Sequence, residues 1–328
     1  MPIATSKYGI SPCSTLHAIH HHSIIQCTQD ERIPDSEIED ILSTATSVGV
    51  VAFIVNGCWP GDWDHVAALA SSHPHIIIPQ FGLHPWWVGR TYIPHPPNTA
   101  TNTNPPWLTA LRTRLLSNPR AGLGECGLDK TPKALVSNPW EHQVDACRSQ
   151  LILAQNLHRP VTVHCVRAFG ALHSMLEELQ LTVPVVVHAW TGSAEATKTL
   201  LLQFSNVFFS LGGHLLRGRV EKAVAMLQVL RTSLDRCLLE SDAPDGVIVV
   251  SDEWRRQVLD GGDRGLGVGV KTAEMKKKNS DDDDVNTPCS VADMLKIVAR
   301  AMNVSEEEVA ARTTATAKRI FLTSFPPP

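Results

Sequence analysis

The chain has 328 residues, 43% hydrophobic and 19% charged, with a formal net charge of −4. That length can bury a large core, as one α/β barrel or as two smaller domains, and the slightly acidic balance excludes attraction to polyanions or anionic membranes by global charge. Eight dispersed cysteines with no CxxC pair, no secretory apolar segment and no run long enough for a membrane helix point to a reduced compartment, read as the cytoplasm with organelle and nucleus left open.

Residues 1–16 lack periodicity and read as a loose arm. The cluster His17-Ala18-Ile19-His20-His21-His22 follows. On a strand, His20 and His22 alternate onto one side and could chelate one ion, although the same cluster also reads as a polar, tag-like tract. Pro34 to Ser47 is patterned as an amphipathic helix, Val50 to Asn56 as a strand, and Asp62 to Ser71 as a helix capped by Asp62. Ile76 to Phe81 is a third strand, running into Gly82-Leu83-His84-Pro85-Trp86-Trp87. Residues 90–106, rich in Pro, Thr and Asn, read as loop, and Trp107 to Leu116 as helix.

Ala121 to Asp129 is a strand interrupted by glycines, which mark close approach of backbone or ligand, and Glu125 sits inside it. A carboxylate buried there needs a partner. A helix from Pro139 to Leu157 leads to Pro160–His164, a β-branched strand ending in histidine, with Cys165 and Arg167 just beyond. After a helix from Ala168 to Leu179, Val183 to His188 repeats that pattern and runs into a helix capped by Ser193. Val207 to Leu211 is a strand, Arg217 to Arg231 a helix, and Cys237 to Glu240 a last strand opening into Ser241-Asp242-Ala243-Pro244.

Alternation of strand and helix over this length predicts a parallel (β/α)8 barrel of the TIM type, with a degenerate first strand, as one domain over residues 17–325. Residues 246–287, with a glycine-rich stretch and the opposed charge blocks KKK and DDDD, read as a flexible insertion after the last strand. Val291 to Met302 and Ser305 to Ile320 are closing helices, the second with a capping box from Ser305 to Glu308.

The polar residues at strand ends are His20, His22, His84, Glu125, His164, His188 and Asp242. In a parallel barrel all of them face the C-terminal mouth, and several imidazoles with two carboxylates form a ligand set for one or two divalent cations such as Zn, Mn or Mg.

The motifs GLHPW at 82–86, GECGLDK at 124–130, HCVRAFG at 164–170, HAWTGSAE at 188–195, FFSLGG at 208–213 and LLESDAPD at 238–245 together resemble the TatD family of metal-dependent nucleases. The resemblance spans roughly residues 29–325 and is nearest to the plant and algal branch, through QDERI at 29–33 and Asp62-Trp63. It implies Glu125, His164, His188 and Asp242 as metal ligands, with Glu125 bridging two ions. It also implies hydrolysis of DNA phosphodiesters, typically from a 3′ end, with RNA as a further substrate. Two ions about 4 Å apart clamp a phosphate and acidify a bound water, so no global positive charge is needed. Mg2+ or Mn2+ is the expected pair, with Zn2+ as the alternative. Glu125 or Asp242 then orients or deprotonates the water, and His84 and Arg167 are candidates to contact substrate. Trp86, Trp87 and Trp190 could stack on bases, although packing under a loop is the favoured role for each.

One departure stands out. The family opens its first strand with Asp-x-His-x-His, whereas here Ala18 holds the Asp position, and Ser23 to Thr28 separate the histidines from Gln29. Thr316 likewise stands where the family often has Asn. His20 and His22 either still bind the first ion or leave an impaired barrel that works as a binding or scaffold module. A related amidohydrolase is a third reading, weakened because no strand-borne lysine offers a carbamate bridge. A monomer acting on nucleic acid, away from membranes, is the expected state.

Overall fold

The computed structural model describes residues 16–22, 35–91, 105–244, 246–259, 271–272 and 286–322. Eight strands follow one another in chain order as a closed barrel: β1 Leu16–His22, β2 Val50–Gly57, β3 Ile77–Phe81, β4 Gly122–Asp129, β5 Val161–Val166, β6 Val185–Val187, β7 Val207–Leu211 and β8 Cys237–Ala243. The alternation read from the sequence is therefore that of an α/β barrel. The segment with the weakest strand pattern, Leu16–His22, is a strand whose backbone pairs in parallel with β8, Ile19 opposite Glu240 and His21 opposite Ala243, with a register shift between them. Residues 1–15 and the charged blocks at 276–284 lie outside the described residues.

The chain divides into two compact units. The first takes in most of residues 54–188. Here β3, β4, β5 and β6 pair in parallel, with Leu123 opposite Val161 and Val163 opposite Val187. Val161, Val163, Val185, Val186 and Val187 are wholly buried, as expected of β-branched residues in strands covered on both faces. The helix Trp140–Leu157 presents Gln143 and Gln150, seven residues and so two turns apart, on one face. Gln150 Oε1 accepts the Leu83 N–H at 2.7 Å and its Nε2 donates to the Leu83 carbonyl at 3.1 Å. Gln143 Oε1 accepts the Asp129 N–H at 2.8 Å. These two amides thus fix the turn carrying His84 and the end of β4. Trp63 does the same for β2 and β3, donating Nε1–H to the carbonyls of Gly57 and Gly82 at 3.2 and 3.1 Å. Asp62 precedes that helix without capping it through its side chain; its carboxylate accepts the N–H of Cys58 at 3.0 Å instead.

The second unit takes in residues 189–203 and most of 209–318, together with the N-terminal part of the chain. β7 pairs with β8 in parallel, Ser210 opposite Leu238. The helix Val291–Met302 is buried around most of its circumference, and the helix Glu306–Phe321 starts at a Ser305 hydroxyl that accepts the Glu308 N–H at 3.2 Å. Between them and β8, Ile248, Val250, Trp254 and Leu259 are buried, and Val249–Val250 pairs with Lys271–Thr272. Among the described residues no helix is long and apolar enough to cross a membrane.

Candidate metal centre

Glu125 is wholly buried in β4. The strand leaves room around it by omitting side chains. A Cβ on Gly124 would run into the Gln80 amide and would come within 2.9 Å of the Thr162 Cβ, and Gly127, at φ +141°, lies where a Cβ would meet the His164 backbone. Only glycine takes that conformation and that proximity without strain. The peptide bond joining Gly124 to Glu125 is cis.

Three imidazoles surround one carboxylate oxygen. Glu125 Oε1 lies 3.1 Å from His164 Nδ1, 3.7 Å from His84 Nε2 and 3.8 Å from His188 Nε2. Each histidine arrives from the end of a different strand. His84 follows β3 on the turn held by Gln150; His164 is in β5; His188 follows β6, its N–H donating to the Val163 carbonyl at 3.0 Å. The rings of His84 and His164 meet edge to face at 4.5 Å between centroids.

Asp129, the last residue of β4, completes the arrangement, and the sequence reading passed over it. Its carboxylate accepts the Trp86 Nε1–H at 2.6 Å and the Thr131 N–H at 2.8 Å, and lies 3.3 Å from His164 Nε2. Burial favours the neutral acid, but the hydrogen bonds from His164, Trp86 and Thr131 outweigh it and hold the Asp129 carboxyl well below the usual range. For His164, burial opposes the charged ring, yet Asp129 and Glu125 raise it above the ordinary imidazole value. Both His164 nitrogens thus face carboxylates; a cation taking the place of the Nδ1 proton would leave Nε2–H donating to Asp129, the way a carboxylate orients a metal-ligating histidine.

His84 differs. Its Nδ1 accepts the Trp86 backbone N–H at 3.1 Å, so the neutral ring carries its proton on Nε2, toward Glu125. Among the described residues, ligand atoms of His84, Glu125 and His164 all lie within 4.8 Å of one another and all three residues are buried. One carboxylate with imidazole nitrogens fits a divalent cation of the Zn or Mn kind. Glu125 Oε1 and His164 Nδ1 fit as ligand atoms, whereas His84 Nε2, its ring anchored through Nδ1, is set up to donate a hydrogen bond.

The second unit has its own carboxylates. Asp242, in β8, is buried at φ +54°, and its Oδ2 lies 3.1 Å from Nδ1 of His214, a residue of the 3-10 turn Gly213–Arg217. Glu240, two residues earlier and fully buried, accepts the Ala189 N–H at 2.9 Å. Neither His214 nor Glu240 was singled out from the sequence: His214 sits on a turn without periodicity, and Glu240, though inside LLESDAPD, lies mid-strand two residues before the Asp242 strand end. Arg167 is exposed directly after β5 at φ +54°. His20 and His22 belong to β1.

Comparison with known proteins agrees with this architecture. The family model described as TatD related DNase matches residues 19–322. The 3′-5′ ssDNA/RNA exonuclease TatD of Erwinia tasmaniensis is 26% identical over 289 residues, covering 86% of this chain and 93% of that protein. The human deoxyribonuclease TATDN3 is 27% identical over 216 residues, covering 64% of this chain and 73% of its own. In fold, the crystal structure of a hydrolase TatD family protein from Entamoeba histolytica superposes with a TM-score of 0.70 at 15% identity, over 94% of this chain and 99% of the other. With its motifs, its barrel and its buried glutamate among histidines, this chain belongs to the TatD related DNase family and is a hydrolase of the deoxyribonuclease kind.

Proposed function

We propose that the chain is a 3′-5′ exonuclease that hydrolyses DNA phosphodiesters, with RNA as a further substrate, using two divalent cations, Mg2+ or Mn2+ in preference to Zn2+. The observation that carries this reading is the convergence of His84, His164 and His188 on one oxygen of the buried Glu125. Burying a carboxylate among three imidazoles is costly, and a cation bound at their common point would offset part of that cost. The family and the named activity of the Erwinia relative supply the substrate and the polarity.

In this proposal Glu125, His164, His188 and Asp242 are the residues that would hold the cations, with His20 and His22 of β1 as further candidate ligands. Cations bound there would supply Lewis acidity and would make a nearby water easier to deprotonate. The chain's residues do the rest. Asp129 holds the His164 ring in the ligating tautomer, and His84, with a proton on Nε2, donates to a phosphate oxygen. Arg167, exposed at the end of β5, pairs with a neighbouring phosphate. Asp242, with His214 Nδ1 3.1 Å from its Oδ2, would take the proton of the attacking water.

The test is a time course on single-stranded DNA labelled at the 5′ end, in Mg2+ or Mn2+ and in EDTA. Stepwise shortening from the 3′ end, abolished by EDTA, is the expected result. An intact oligomer with every divalent ion tried would overturn the reading.

A further inference from the structure

The three tryptophans near the strand ends do not share one role. Trp190 is buried, donating Nε1–H to the Thr197 hydroxyl at 2.9 Å with its ring tilted on Phe209. Trp87 lies stacked on Trp59 at 4.9 Å, with the Arg90 guanidinium 5.2 Å from its ring centre. Trp86 is 42% exposed, the largest side chain of the first unit left in that state. It is also anchored. Its Nε1–H is held at 2.6 Å by Asp129, and its ring stands edge-on to His84 at 5.2 Å and 6.2 Å from His164.

An indole fixed by its one polar atom, with much of its surface in water, gains nothing from being hydrophobic in the folded chain alone. It does offer an aromatic surface whose orientation costs no further entropy on binding. The exposed cations Lys130 and Arg167, immediately after β4 and β5, suit the phosphates of a strand passing the same end of these strands. We propose that Trp86 is the stacking platform for a nucleobase of a single-stranded substrate, and that Asp129 couples it to the metal centre by holding both its indole and the His164 ring. Nucleic acid as the ligand rests on the nuclease reading above. A base inside a duplex has both faces covered by its neighbours, so such a platform selects single strands and is indifferent to sequence.

The test is equilibrium binding of a fluorescein-labelled oligodeoxythymidylate, made resistant to hydrolysis by phosphorothioate linkages at its 3′ end, to the metal-loaded full chain. A matched oligomer with abasic sugars at that end reports the backbone contribution alone. Trp86→Ala is expected to weaken binding of the base-bearing strand about tenfold and that of the abasic strand less than about twofold. Trp86→Phe, which keeps an aromatic face and loses the indole N–H, is expected to stay within about threefold of the native chain. Equal weakening for both strands, unchanged binding in Trp86→Ala, or a native chain that prefers neither strand overturns the platform. Hydrolysis of the unmodified oligomer separates the two readings. Binding through Trp86 without cleavage keeps the platform and removes the nuclease, whereas cleavage with Trp86→Ala binding unchanged does the reverse.

Discussion

Glu125 and Asp242 are both carboxylates sunk in barrel strands, yet they are held in opposite ways. Glu125 sits in a strand stripped of side chains by glycine, with three imidazoles from three strand ends around one oxygen. Near Asp242, among the described residues, His214 Nδ1 lies 3.1 Å from its Oδ2, its φ is +54°, and Gly246 is so close that a Cβ there would lie 2.6 Å from the Asp242 Cβ. Side chains orient the first and main chain orients the second. In the proposed mechanism the difference would suit Glu125 as a fixed ligand and Asp242 as a ligand that also takes the proton of the attacking water.

The largest effect separating them is expected at Glu125. Glu125→Gln keeps the shape and removes the charge, and should lower kcat/KM on single-stranded DNA about 10³-fold, several kcal/mol of barrier, with loss of bound metal. Activity within tenfold of native would show that this carboxylate holds nothing essential. His214→Ala, which leaves Asp242 its strand but not its partner, should cost about 10- to 100-fold in kcat with KM nearly unchanged. A rise in KM alone would instead make His214 a substrate contact.

Gly246→Ala probes the backbone side of the comparison. Gly246 is at φ +62°, and a Cβ there would lie 2.6 Å from the Asp242 Cβ, so a methyl group should destabilise the fold by about 1–3 kcal/mol in denaturant unfolding. An unchanged midpoint would mean that β8 yields easily and that Asp242 is not fixed by its main chain. The mildest effect is a pH dependence at Asp129. Its folded value is depressed, so its contribution is fully present above the unfolded carboxyl value of about 4 and is lost as pH falls through the lower folded value. The stability gap between native and Asp129→Asn should therefore shrink as pH falls below about 4. A gap that stays the same at pH 3 would show that the Asp129 ion contributes nothing.

Much of this was legible in the residues. Two β-branched runs ending in His164 and His188, and a glycine-broken strand holding Glu125, carry the logic of a parallel barrel with chemistry at the strand ends, and the structure brings those three residues together with His84. What stayed hidden depends on contacts distant in sequence. Asp129 reads as the end of a GLD strand, and its importance follows only once Trp86, 43 residues away, and His164, 35 residues away, are seen to share its carboxylate. His214 lies on a 3-10 turn with no periodicity to mark it, and its pairing with Asp242 needs the fold. Trp86 and Trp190 follow histidines in similar motifs, and only the structure separates a buried indole from an anchored, exposed one.

The most direct measurement is Mn2+ binding to the metal-stripped full chain, read from the electron paramagnetic resonance signal of the free ion, in the native protein and in Glu125→Gln. A defined stoichiometry of one or two ions in the native chain, lost in a Glu125→Gln variant that keeps its circular dichroism, is the predicted result. Equal binding by both proteins, or none by either, would contradict a metal centre built around this glutamate.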